Sequence, residues 1–221
     1  MGCAAWKIIF SPREYFYSLK ANPRWGHNCI LITLLQIIFT AIQIILSFPS
    51  VRAFNEREVL LDSAALIMLI SLRNVLTWFF ASLVLFNFVK IAGATKNFSL
   101  NHSIAVIVSS HVVQCLALAF SILIGYARVV LSRSDFFDPA DTFSLSTVLF
   151  FDSPDYVRYV LSKVDIFTIW YIVLVSKGVF TLSSIGIARS YCMTAIVFLF
   201  GVSLRLMLLN IFTSLPSLIL K

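Results

Sequence analysis

Charge is scarce in this sequence. Only 12% of its 221 residues are Asp, Glu, Lys or Arg, about half the share found in a soluble globular domain, roughly 25%. So few charges cannot cover a water-facing surface, and an ordinary soluble fold is excluded. Carboxylates are scarcer still, with 10 Asp and Glu against 17 Lys and Arg, and none falls inside the long apolar runs. A proton or cation relay across a membrane usually needs one there. Histidine is limited to His27, His102 and His111. These lie far apart, without Asp, Glu or Cys at metal-ligand spacing, so no metal is expected. Cys3, Cys29, Cys115 and Cys192 include no C-x-x-C pair and read as inert thiols in or beside apolar runs. The sequence also lacks G-x-S-x-G, H-E-x-x-H, a P-loop and a dinucleotide fingerprint, so neither an enzyme nor a cofactor is expected. A membrane enzyme acting on lipid would want paired carboxylates, and none is seen. A removable signal peptide is not expected, because the first long apolar run starts late, near Cys29.

Apolar side chains are what the sequence has in excess. Hydrophobic residues make up 60% and the mean hydropathy is +0.95. A bilayer core about 30 Å thick is crossed by roughly 20 helical residues, and five runs reach that length: 29–48, 75–94, 104–127, 166–186 and 191–213. The expected fold is therefore all-α, a polytopic bundle of five transmembrane helices with short interfacial amphipathic helices. The lipid bilayer is the expected partner. The basic balance sits beside the spans, where headgroups and topology explain it better than nucleic acid does. No linker or repeat divides the chain. Its expected parts are an N-terminal interfacial stretch over 1–28, a five-span domain over 29–213 and a tail over 214–221.

Between the runs lie helix-start signals. Ser11-Pro12-Arg13-Glu14 reads as a capping box with Pro12 at the first helical position. The helix over 12–21 has an aromatic side of Tyr15, Phe16 and Leu19, suited to the headgroup layer. Asn55 with Glu58 is a second box, opening a helix that either lies on the membrane or runs straight into the second span. Ser153-Pro154-Asp155 opens a third, interfacial one over 154–164. Lys7, Arg13, Lys20 and Arg24 precede the first span, and all acidic residues except Glu14 fall on the other side. A cytoplasmic N-terminus is expected, although Lys and Arg are equally frequent on both sides.

Three residues are candidate functional polar positions within the runs: His111, Lys177 and Arg205. A charge at the bilayer centre costs about 2.5–3.5 kcal/mol on insertion scales, so each needs a reason. Either they face an interior pathway, or Lys177 and Arg205 snorkel to opposite surfaces and His111 hydrogen-bonds across helices. Ala117, Ser121 and Gly125 repeat every fourth residue and form a candidate close-packing face. It would serve a contact within the chain or self-association equally well. The acids of 132–165, among them Asp135, Asp138 and Asp141, follow no EF-hand spacing and read as caps and a solvated loop.

The order of features resembles the Yip1 domain family of five-span membrane proteins. Three stretches carry the likeness. They are Pro12-Arg13-Glu14-Tyr15-Phe16 with Asn22-Pro23-Arg24-Trp25, the turn Gly93-Ala94-Thr95-Lys96-Asn97-Phe98, and Asp165-Ile166-Phe167-Thr168-Ile169-Trp170 followed by Gly178. Where that family often has proline in its third span, this chain has Ser110-His111. With the first span starting near residue 29, the chain looks more like the prokaryotic members. The resemblance implies a multi-pass protein of a bacterial cytoplasmic membrane, non-enzymatic, that binds or organises other membrane proteins. The competing expectation is a small transporter or channel component using Lys177, His111 and Arg205.

Overall fold

The computed structural model describes residues 4–20, 22–23, 25–47, 56–93, 98–132 and 165–219. The expected helix over 154–164 and Asn55 lie outside these, as does Cys3. The described residues form eight helices and no strand: α1 (Ala4–Phe10), α2 (Pro12–Leu19), α3 (Gly26–Ser47), α4 (Glu56–Ile91), α5 (Leu100–Ser110), α6 (Val112–Ser132), α7 (Ile166–Ser183) and α8 (Ile187–Ile219). Five segments are long and apolar enough to cross a membrane: Gly26–Gln43, Ile67–Ile91, Leu100–Ile124, Ile166–Ser183 and Ile187–Leu208. The protein is an all-α, multi-pass integral membrane protein.

Two elements differ in extent from the runs read in the sequence. The stretch after Asn55 is continuous with the second span, giving one helix of 36 residues. At 1.5 Å per residue it is about 54 Å long, well over the hydrocarbon thickness. The third span is two helices, α5 and α6, meeting at His111. The break has a local cause. His111 Nδ1 bonds the Ile107 carbonyl at 2.8 Å, which in an unbroken helix would accept from the backbone N–H of residue 111. That N–H turns to the Val108 carbonyl instead, at 3.1 Å. A side chain inserted into the i→i−4 ladder tightens the helix at that point.

The third span is the centre of the bundle. α5 packs on α3, α4 and α7, while α6 packs on α3 and α7, and α8 closes the other side against α4 and α7. Cross-helix contacts fix the directions. Ser103 Oγ donates to the Ser82 carbonyl at 2.7 Å, and the rings of Trp78 and His111 lie 5.0 Å apart, so α4 and the third span run antiparallel. Asn28 bonds Ser109, and Cys115 approaches the Ile32 carbonyl, so the first and third spans run parallel. His111 meets Tyr171 and Phe120 meets Phe167, so α7 runs antiparallel to the third span, and α8 reverses again after the turn at Ser184. Ile30, Leu34, Phe79, Phe120, Ile169 and Leu199 remain exposed on the outside, where only acyl chains could satisfy them.

The turns close by identifiable means. Asp165 caps α7, its Oδ1 accepting the Thr168 N–H at 2.6 Å. Gly93 follows α4 at φ +83° and Ser184 follows α7 at φ 56°, both left-handed stops. Pro12 takes the first position of α2, as its missing N–H favours. Ser11 makes no side-chain cap bond. Its backbone N–H instead bonds the Lys7 carbonyl, because α1 runs directly into it and leaves no free-standing N-terminus to cap.

The aromatic side of α2 packs on protein: Phe16 is fully buried and Tyr15 and Leu19 are buried too, against α7 and α5. The reason is Gly178. The space a Cβ would take there is bounded by Val106 Cγ1 at 2.9 Å and by the Phe16 ring at 3.0 Å. A missing side chain on α7 thus makes the notch that receives Phe16. Helices α1 and α2 share one core with the spans, with Ile8 of α1 also fully buried.

Candidate functional site

Polar side chains inside a lipid-embedded bundle are either internally satisfied or available for something else. Most hydroxyls here belong to the first group. Thr77, Ser82, Ser176, Ser183 and Thr194 each donate to the carbonyl four residues back on their own helix, at 2.6–2.8 Å. These bonds are local and link nothing. Set apart from them are the polar side chains that reach between helices.

Two such groups stitch the N-terminal end. Asn28 Nδ2 on α3 donates to Tyr15 Oη at 2.6 Å and to Ser109 Oγ at 3.0 Å, and the two hydroxyls are 2.7 Å apart. Three elements (α2, α3 and α5) are thereby tied at one point. Burial pushes the Tyr15 phenol above its ordinary ionisation range, so it remains a neutral hydrogen-bonding group. His102, at the third position of α5, receives the Ser99 backbone N–H on Nδ1 at 3.2 Å. Its Nε2–H is then the donor to the Lys20 carbonyl at the end of α2, 3.3 Å away. A third link joins the first two spans, Asn74 Nδ2 donating to Gln36 Oε1 at 3.0 Å.

The remaining group gathers around the break in the third span. With Nδ1–H given to the Ile107 carbonyl, His111 presents Nε2 as an acceptor. Arg205 of α8 donates to it at 3.4 Å. The imidazole is held between Trp78 of α4, 5.0 Å between ring centroids, and Tyr171 of α7, 4.8 Å and near edge-on. Four of the five spans therefore meet at one histidine. Beside it is a cavity of about 40 Å³, bounded among others by Thr77, Trp78, His111, Gln114, Tyr171 and Arg205. The Trp78 indole N–H is buried and meets no acceptor among the described residues.

The three polar residues singled out within the spans are not brought together. His111 and Arg205 meet. Lys177 is on an exposed face of α7 and lines neither this cavity nor the smaller one of about 10 Å³ beside Tyr15 and Asn28. Ala117 packs against the core and Ser121 is half-buried on α6, with Gly125 one turn further along the helix. Trp170 is half-buried on α7. Sequence reasoning missed Trp78, Gln114 and Tyr171. A tryptophan or tyrosine in an apolar run reads as ordinary span composition, and only the fold shows that these rings enclose His111. The break itself carried a signal in Ser110-His111, a polar pair at the middle of an apolar run. Among the described residues no group of His, Cys, Asp and Glu could hold a metal. Compared with family models, with curated proteins and with solved structures, the chain matches none.

Proposed function

We propose that this is a non-enzymatic membrane protein of the Yip1 type, which binds or organises other membrane proteins from within the bilayer. The observation that carries this reading is the closed bundle. The N-terminal end is plugged by α1 and α2, with Ile8 and Phe16 fully buried. The larger of the two interior spaces described above is about 40 Å³, room for a few waters at roughly 10–15 Å³ each and too small for an organic solute. Lys177, needed by the transporter reading, sits outside that space. The features on which the family likeness rests have structural work in this chain, which supports it: Pro12 starts α2, Gly93 ends α4, Asp165 caps α7, and Gly178 accepts Phe16.

The same reading puts the N-terminus in the cytoplasm, in a bacterial cytoplasmic membrane. With spans alternating in direction, every acidic residue except Glu14 belongs to the opposite end, while Lys and Arg divide about evenly. Four basic residues, Lys7, Arg13, Lys20 and Arg24, precede the first span, the arrangement favoured on the cytoplasmic side. Purification in mild detergent after in-cell cross-linking is the test, together with flux measurements on the reconstituted protein. The expected result is a stoichiometric membrane-protein partner and no flux. Ion or solute flux abolished by Arg205→Gln would overturn the proposal in favour of a transporter.

A further inference from the structure

The end of the bundle that carries α1 and α2 bears charge of almost one sign. Because the spans alternate in direction, it also holds the last turn of α4, the start of α5 and the turn between α7 and α8. Lys7, Arg13, Lys20, Lys90, Lys177 and Arg189 are all exposed there, and the one carboxylate among the described residues of this end is Glu14. Lys177 belongs to this end although it falls within the fourth span. Ser183 ends α7, so Lys177 stands about 9 Å from that end at 1.5 Å per residue. It directly precedes Gly178, which receives Phe16 of α2, and its long stem carries the amine toward the depth of α2. Rings accompany these charges. Phe10 is 79% exposed and Tyr17 67%, and both lie outside the five spans, where the acyl core does not account for them. On α2, Arg13, Tyr17 and Lys20 follow at i, i+4 and i+7 and share one exposed face, while Tyr15, Phe16 and Leu19 turn into the core. The Lys20 amine lies over the Tyr17 ring, 5.9 Å from its centroid. Cations interleaved with exposed rings suit the headgroup layer, where the ring sinks in and the charge meets phosphate.

We infer that this face is a binding surface for anionic phospholipid headgroups of the surrounding leaflet, with Arg13, Lys20 and Lys177 as cations that meet the phosphates. Charge complementarity selects an anionic occupant, since the cations come from α1, α2, α4, α7 and α8 against a single carboxylate. The exposed rings select lipid, because Phe10 and Tyr17 sit on helices that abut the ends of the spans, at headgroup depth. Helices α1 and α2 share the core of the bundle, so lipid bound to them stabilises the whole fold. The surface goes beyond the interaction role and gives Lys177 a task that needs no pathway.

The test uses the full chain, delipidated in a neutral detergent, with unfolding followed after addition of phosphatidylglycerol, phosphatidylcholine or inorganic phosphate. Phosphatidylglycerol should raise the midpoint over phosphatidylcholine by about 3–6 °C once at roughly ten times its dissociation constant. Most of that difference should disappear at about 1 M salt, where the screening length is roughly 3 Å, and inorganic phosphate should not reproduce it. Arg13→Gln, Lys20→Gln and Lys177→Gln combined should lose more than half of the difference while keeping the wild-type midpoint in phosphatidylcholine. Lys177→Gln alone should show part of the same loss and decides if the combined variant does not fold. A control with Arg133→Gln, Arg158→Gln and Lys163→Gln, which removes as many charges from the sequence between the third and fourth spans, should keep the difference whole. Equal midpoints in the two lipids, an undiminished difference in the folded variant, an equal loss in the control, or full replacement by inorganic phosphate would each overturn the inference.

Discussion

At Gly178 a Cβ atom would stand 2.9 Å from Val106 Cγ1 and 3.0 Å from the Phe16 ring. Neither neighbour can retreat, since both are fully buried. Gly178→Ala should therefore destabilise by about 1–3 kcal/mol, the usual cost of overpacking. Most of that penalty should vanish in a Phe16→Leu background. A thermal double-mutant cycle measures it, and additive effects would mean that the ring does not occupy the notch. Tyr15 offers a second test at this scale. Tyr15→Phe removes the hydroxyl that joins Asn28 to Ser109 and should cost about 1 kcal/mol near neutral pH. Burial raises the ionisation of this phenol above its ordinary value. A folded-state value above the unfolded one gives stability that is complete below the unfolded value and is lost as pH climbs past it. The gap between wild type and Tyr15→Phe should therefore stay constant from pH 6 to 9, then narrow above about pH 10. A gap that narrows already near neutrality would contradict the buried environment assigned to Tyr15.

Among the elements, the third span is the one whose form depends on a single side chain. Replacing His111 with Leu frees the Ile107 carbonyl for the backbone N–H of residue 111 and takes away an acceptor from Arg205. Continuous i→i−4 bonding should return, and amide exchange at residue 111 should slow. The loss of the Arg205 contact should cost about 1–3 kcal/mol against that gain. Unchanged exchange would mean that the break is imposed by packing rather than by the imidazole. The cap on α7 makes a milder prediction. Asp165→Ala should lower stability by about 1 kcal/mol and Asp165→Asn by much less, because an amide oxygen can still accept the Thr168 N–H.

How far the elements were legible in the sequence follows from the same residues. Pro12 read correctly because its preference for the first helical position is local, whereas Asp165 was placed at the start of a span without being read as its cap. Ser11 misread as a capping box because its motif is indistinguishable from one until α1 is seen to abut it. The aromatic side of α2 was visible, yet its burial against protein was not. Burial there depends on a glycine more than 150 residues away, which periodicity cannot register. The His111 cluster was half legible. A polar residue amid apolar ones flags itself, while Trp78, Gln114 and Tyr171 join it only through packing of α4, α6 and α7.

For the molecule as a whole, the account rests on five crossings of the membrane, with α1 and α2 docked on the side where the net positive charge lies. Apolar length identified all five crossings, because a bilayer imposes a minimum that chance runs seldom meet. It could not say which side is which, since Lys and Arg divide evenly and only the acids are segregated. Five crossings place the ends of 1–221 on opposite faces. The most direct measurement is a pair of topology reporters, one fused ahead of Trp6 and one after Lys221, read in intact cells with verified insertion. The account predicts a cytoplasmic signal from the first and an external signal from the second. Both reporters on the same face would contradict the five-span architecture, and with it the alternation on which the directions of the helices, the location of the charged end and the meeting of four spans at His111 all depend.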